Sequence, residues 1–219
     1  RRPDRAVRGP VYRGAVIVQL GAEQRVEITH RALVIGLVDG AGAPDSALDD
    51  AVVDGVLAAG PDLVGLRGFA AEQVGPAVAA LRARTELPVA VEPRDPEGLR
   101  AALEAGAVLV HDPTGEARDG DLAAVRDAGA TVVLGPAGST SVEPAPRREH
   151  LRRCVEAARA AGLAPERIVV DDGLDRVGGH AALELLRSSA ELAELGPAAV
   201  SLGGGVASAV GGDPVGAGI

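Results

Sequence analysis

Seven times after residue 32 a short run of Val, Leu, Ile and Ala recurs, and between these runs lie longer Ala/Leu/Glu/Arg segments of helical period. This recurrence limits the fold more than any other feature of the chain. The apolar runs fall at 33–38, 63–66, 88–91, 107–110, 131–134, 168–170 and 198–202. They do not alternate with polar residues, which is the signature of strands buried on both faces of a parallel sheet. The segments 47–59, 70–85, 96–105, 120–128, 147–161 and 179–194 read as the intervening helices. Three joints repeat one chemistry: Ala59-Gly60-Pro61, Ala105-Gly106-Ala107 and Ala128-Gly129-Ala130 each read as helix end, glycine cap and next strand.

Before the first unit, 12–19 and 25–29 read as a hairpin around Gly21-Ala22-Glu23, placed to plug the bottom of a barrel. After Leu202 the chain turns glycine-rich, with Gly203-Gly204-Gly205 and Gly211-Gly212, and no eighth strand and helix can be read. A closed barrel takes eight βα units and about 250 residues. The expected fold is therefore a TIM (β/α)8-like barrel lacking the eighth βα unit, with an N-terminal arm and hairpin over 1–32 and one barrel domain over 33–219. An open, doubly wound parallel sheet is the competing architecture.

Composition narrows the function classes. The chain has 219 residues, a formal net charge of -9 and one cysteine, Cys154. No internal disulfide or thiol-rich metal site can be built, which fits a reducing, cytoplasmic setting. Basic residues cluster only at Arg1, Arg2, Arg5 and Arg8, leaving no broad footprint for nucleic acid or an anionic membrane. No stretch approaches the roughly 20 apolar residues of a membrane span, and the polar N-terminus lacks the apolar core of a signal peptide. Lysine is absent, so no chemistry here uses an ammonium side chain. The chain does not begin with methionine, which implies processing, trimming or a fragment.

Ligands of parallel α/β folds sit at the C-terminal ends of the strands. Here those ends are mostly acidic: Asp39 after the first run, Glu92 after the third, His111-Asp112 after the fourth and Asp171-Asp172 after the sixth. Arg67 is the single cation of the set, and the fifth and seventh runs end in Gly135-Pro136 and Gly203-Gly204-Gly205. Such carboxylates can bind the N–H donors of a polar heterocycle, hold a divalent cation, or act as acid and base. Taken singly, each reads equally as the cap of the following helix. His111 reads either as a ligand-site residue or as a packed histidine, and the remaining histidines lack metal-ligand spacing. Cys154 reads as a small buried hydrophobe, 143–149 as an exposed connection, and the glycines 203–205 as a phosphate-cradling loop.

At these positions the chain resembles dihydropteroate synthase, the pterin-binding barrel that joins a pterin pyrophosphate to p-aminobenzoate. The family's G-I-L-N-V-T-P-D-S is matched by Gly36-Leu37-Val38-Asp39 and, after an insertion, Pro44-Asp45-Ser46. Its G-A-D-I-I-D-I-G-G is matched by Gly60 to Gly68, and the following E-S-T-R-P-G loop is lost. S-V-D-T becomes Ala90-Val91-Glu92-Pro93, and N-D-x-x-G becomes His111-Asp112-Pro113-Thr114-Gly115. D-P-G-x-G-F-x-K becomes Asp171-Asp172-Gly173-Leu174-Asp175-Arg176-Val177-Gly178, without the lysine. G-x-S-R-K is represented by 201–207 without its cations, and the final R-V-H-D is absent.

The resemblance implies Glu92, His111, Asp112 and Asp171 as pterin-binding candidates, Asp39 and Asp45 as pyrophosphate or Mg2+ candidates, and Arg67 as a further rim residue. It also implies a homodimer. Because expulsion of pyrophosphate needs cations or oriented donors, their loss implies an inactive, degenerate homologue similar to the second synthase-like proteins of actinobacteria. Two other readings stay open: an active synthase using Mg2+ with Asp39 and Asp45, and an unrelated phosphate-binding α/β protein with its site near 203–205.

Overall fold

A computed structural model describes residues 16–22, 24–28, 32–40, 48–116, 118–136, 143–177 and 179–199. The hairpin comes first, β1 (Val16–Leu20) pairing antiparallel with β2 (Gln24–Ile28) so that Val18 stands opposite Val26. The repeating units follow as β3 (Ile35–Asp39), α1 (Asp50–Ala58), β4 (Leu63–Arg67), α2 (Ala71–Arg82), β5 (Val89–Glu92) and α3 (Pro96–Glu104). They continue as β6 (Leu109–Asp112), α4 (Asp119–Asp127), β7 (Thr131–Leu134), α5 (Pro144–Ala160), β8 (Ile168–Asp171), α6 (Gly179–Ser188) and β9 (Ala198–Ala199).

Strands β3 to β9 form one seven-stranded parallel sheet whose spatial order is the chain order, curled into a half-barrel with helices outside. A doubly wound sheet reverses its strand order at a switch point. This sheet has no reversal, so that alternative is excluded. Among the described residues no eighth βα unit follows β9, and β3 and β9 are the two edges.

The local signals act as their chemistry requires. Asp49 caps α1 by accepting from the N–H groups of Ala51 (2.9 Å) and Val52 (3.2 Å), and Asp95 caps α3 through the Gly98 N–H (2.8 Å) with Pro96 in the first helical position. The joint glycines Gly60, Gly106 and Gly129 have φ of 69°, 99° and 64°, the left-handed turn that releases each helix into the next strand.

Two sequence expectations are corrected. The stretch 143–149 is not a mere connection: α5 begins at Pro144, because prolines in a first helical turn cost no hydrogen bond, and Arg147 is buried there. The helix expected over 179–194 stops at Ser188 and continues as a 3-10 segment, Ser189–Glu194.

Alternation along each strand sorts the core into two layers. One set, including Val64, Leu66, Val91, Val110, Val132 and Val170, packs outward against the helices. The other set, Leu63, Ala90, Leu109, Val133 and Val169, faces inward and closes on Val18 and Leu20 of the hairpin. The hairpin thus fills the bottom of the half-barrel, and the Thr131 hydroxyl of β7 donates to the Gln19 carbonyl to hold it there. Each fully buried Val or Leu contributes about 1.5–3 kcal/mol, so this inner layer stabilises the sheet without any aromatic ring.

Candidate functional site

The same inward-facing positions change character toward the C-terminal ends of the strands. Two residues beyond Leu37 stands Asp39, and two beyond Gly65 stands Arg67. Two beyond Ala90, Leu109 and Val169 stand Glu92, His111 and Asp171. Strand register lays them side by side, with Asp39 opposite Arg67, Arg67 opposite Glu92, and Ala90 opposite Leu109 one step below Glu92 and His111.

His111 is the centre of this rim. Its Nδ1 lies 3.1 Å from Glu92 Oε2 and its Nε2 lies 3.1 Å from Asp171 Oδ2. Burial alone would push its pKa down. The hydrogen bonds to Asp171 and Glu92, with their charges, overcome that and raise it to about 9, so the ring is an imidazolium at neutral pH. Glu92 responds in the opposite sense: the His111 hydrogen bond, against the effect of burial, holds its carboxyl below the ordinary value, with Arg176 and Arg67 adding attraction. Asp171 is almost fully buried, and its second oxygen, Oδ1, accepts the Gly173 N–H at 3.0 Å.

Two guanidinium groups border the cluster. Arg67 Nε donates to Asp39 Oδ2 at 2.9 Å, a pair in which both side chains are more than 40% exposed (43% and 45%). Arg176 Nη2 stands 3.7 Å from Glu92 Oε1. The sequence reading sought a cation where the family places its lysine, at Gly178. Arg176, two residues earlier on the 3-10 turn Leu174–Arg176, supplies a rim cation that matching to the family motif misses. The signal that would have found it is a guanidinium anywhere in the loop after β8.

The structure does not bring Asp112 to this cluster. Adjacent residues of a strand face opposite sides, and with His111 inward Asp112 turns outward. Its Oδ1 accepts from the N–H groups of Thr114 (2.9 Å) and Gly115 (3.2 Å) and from the Thr114 hydroxyl (2.6 Å), folding the loop back on itself. Gly115 has φ +58°, and a Cβ there would stand 2.3 Å from the Gly135 carbonyl oxygen, so the Asp112-to-Gly115 turn serves close packing against the end of β7. Asp112, Thr114 and Glu116 line a cleft between the sheet and the turns after β5 and β6, where burial also raises the Asp121 carboxyl.

Asp45 and the 203–205 glycines lie outside the described residues. Asp39 Oδ2 accepts from Arg67 Nε, so this candidate stands as one half of an exposed ion pair at the rim. Among the described residues no three His, Cys, Asp or Glu side chains converge to hold a metal. Cys154 is buried, its thiol donates to the Gly115 carbonyl at 3.1 Å, and burial raises its pKa, as befits an inert core thiol. No helix among the described residues is long and apolar enough to cross a membrane.

Comparison with known proteins fits this geometry. The family described as pterin binding enzyme matches residues 69–206. This chain belongs to the pterin-binding enzyme family.

Among solved structures, it resembles the dihydropteroate synthase from Xanthomonas albilineans in complex with 7,8-dihydropteroate. That match has 26% identity and a TM-score of 0.68, covering 85% of this chain and 78% of that one. It also resembles the Burkholderia cenocepacia dihydropteroate synthase complexed with 7,8-dihydropteroate, at 25% identity and a TM-score of 0.70, covering 91% and 81%. The 7,8-dihydropteroate synthase from Vibrio fischeri shares the fold at 16% identity, with a TM-score of 0.73 over 93% and 85%. No curated protein matches the chain by sequence. Within the family frame, the positions Glu92, His111 and Asp171 are the ones this chain assembles into a single hydrogen-bonded cluster.

Proposed function

We propose that the chain binds a pterin-type ring at the inward rim, read by the carboxylates of Glu92 and Asp171, and does not carry out the condensation with p-aminobenzoate. One observation carries this reading. The two carboxylates grip opposite edges of a flat nitrogen heterocycle, the ring of His111, with an N–H directed at each. A pterin edge offers donors of the same kind. Release of pyrophosphate calls for cations or oriented N–H groups free to receive developing charge. Arg67 is engaged by Asp39 and Arg176 faces Glu92, so both guanidiniums are already neutralised by carboxylates. On this reading the protein is a degenerate second-copy synthase of the actinobacterial type, a cytoplasmic barrel over 33–219 that pairs as a homodimer.

Titration calorimetry with pterin should give binding that is lost in Asp171→Asn. Incubation with pterin pyrophosphate, p-aminobenzoate and Mg2+ should give no dihydropteroate. The second reading, an active synthase, draws on the presence of Arg67 and Arg176 at the rim. Dihydropteroate formation that Arg176→Ala abolishes would establish it.

A further inference from the structure

Three of the four oxygens of the two ring-reading carboxylates already accept a hydrogen bond, and the fourth faces a guanidinium. Glu92 Oε2 and Asp171 Oδ2 hold the two nitrogens of His111, Glu92 Oε1 faces Arg176, and Asp171 Oδ1 holds the Gly173 N–H. We propose that His111 is an internal occupant of the ring site: its imidazolium supplies the N–H donors a ligand would supply, and a pterin-type ring enters only as that side chain leaves.

The geometry requires the charged form. A neutral imidazole has one N–H and one lone pair, so it satisfies one carboxylate and turns repulsive density toward the other. Contacts of 3.1 Å at both nitrogens therefore call for two donors. The occupant is also built in, because Leu109 is anchored in the inner layer beneath the rim and strand alternation puts His111, two residues on, on the same face. The charged groups that face it are Glu92 from β5, Asp171 from β8 and Arg176 from the turn after β8. Arg67 of β4, held by Asp39 of β3, acts on it through Glu92, and the end of β7, Val133-Leu134-Gly135, brings no charge. The His111 side chain stands at the C-terminal end of its strand and keeps 22% of its surface exposed, which gives it a way out toward solvent.

Two consequences follow from displacement. Ligand affinity at neutral pH is reduced by the fraction of time the site is vacant. A histidine that leaves the carboxylates also returns toward its ordinary pKa of 6.5 and releases its proton.

The inference rests on the pterin reading, and its test separates the two. Pterin is titrated into wild type, His111→Ala and His111→Asn by calorimetry at pH 7 and pH 10. Both variants should bind about tenfold or more tightly than wild type at pH 7, with the gap closing toward equality at pH 10. The ionisation of pterin itself is common to all three proteins and cancels in the ratio. At pH 8, runs in buffers of different ionisation enthalpy should show that wild type releases about one proton more per pterin bound than either variant.

Equal affinity across the three proteins would overturn the inference and leave the pterin reading standing. Tighter binding by His111→Asn alone would show an amide contact rather than a vacated site and would also overturn it. No pterin binding by any of the three would remove the pterin reading and this inference together. Where the variants fail to fold, nitrogen NMR of wild type decides: a ring at position 111 protonated on one nitrogen only at pH 7 refutes the occupant.

Discussion

The lower and upper ends of the half-barrel's inner face belong to the same strands and the same alternation, yet they follow opposite physics. At the bottom, Leu63, Ala90, Leu109, Val133 and Val169 meet the hairpin's Val18 and Leu20 in an aliphatic layer. Two residues further along on β5, β6 and β8, and four beyond Leu63 on β4, Glu92, His111, Asp171 and Arg67 form a chain of charges that neutralise one another. The lower layer gains by excluding water and tolerates no polar group without a partner. The upper layer keeps its charges because each has a specific counter-charge, and it is the only stretch of the described inner face suited to recognising a polar ring. Stability is concentrated below and recognition above, separated by about one strand repeat of 6–7 Å.

The largest expected effect tests the lower end. Leu63 is buried beneath the hairpin, and Leu63→Ala should cost about 2–5 kcal/mol in urea unfolding through lost transfer energy and the cavity left behind. It should not alter the pH dependence of stability. If the loss is much smaller, the hairpin does not close the layer as a packed plug.

Next in size is the pH response of the upper end. His111 has a raised folded pKa, so its contribution is fully present below pH 6.5 and disappears as pH rises through about 9. Glu92 has a lowered folded pKa, so its contribution is present above its ordinary 4.5 and is lost on acidification. The cluster therefore stabilises most between those two ordinary values. Between pH 6 and pH 10 wild type should lose stability on the order of 3 kcal/mol more than His111→Asn, read as a difference in urea midpoints at constant m. Parallel pH profiles for the two proteins would refute the bridging imidazolium.

A smaller effect returns to the bottom. Thr131→Val keeps the shape of a fully buried side chain and removes the donor to the half-buried Gln19 carbonyl, which should cost about 1 kcal/mol, the net worth of one hydrogen bond. Amide exchange should speed up in Val16–Leu20 more than in β5 or β6. Uniform acceleration would mean that the hairpin is not held through this bond.

The division between the two ends was only half legible in the sequence. The seven strands could be read because parallel strands buried on both faces leave unbroken apolar runs, and the Ala-Gly joints mark where each helix releases the chain. That same lack of alternation hides the phase of each strand. In Leu109-Val110-His111-Asp112 nothing in the residues says which of His111 and Asp112 faces inward, because the two residues before them are equally apolar. Asp171 and Asp172 pose the same problem: Asp171 joins the rim, while Asp172 accepts from the Leu174 N–H and presents its carbonyl to Arg147. The family resemblance supplied Glu92, His111 and Asp171, but it carried Asp112 with them and passed over Arg176, whose place depends on how a loop folds rather than on strand period.

The smallest expected effect asks how far the charge chain reaches. Asp39 and Arg67 sit on edge strand β3 and its neighbour β4, both well exposed, and such pairs contribute about 0–1 kcal/mol. Asp39→Asn should therefore leave the unfolding midpoint nearly unchanged. Its consequence lies elsewhere: an Arg67 released from Asp39 is free to act fully on Glu92, its partner across β4 and β5. The Glu92 carboxyl should then titrate lower than in wild type by carbon NMR, and the effect should fade as salt is raised toward 1 M, where screening acts within about 3 Å. A Glu92 titration that ignores both the substitution and the salt would confine the upper site to His111 and its two carboxylates, with the edge strand standing apart from it.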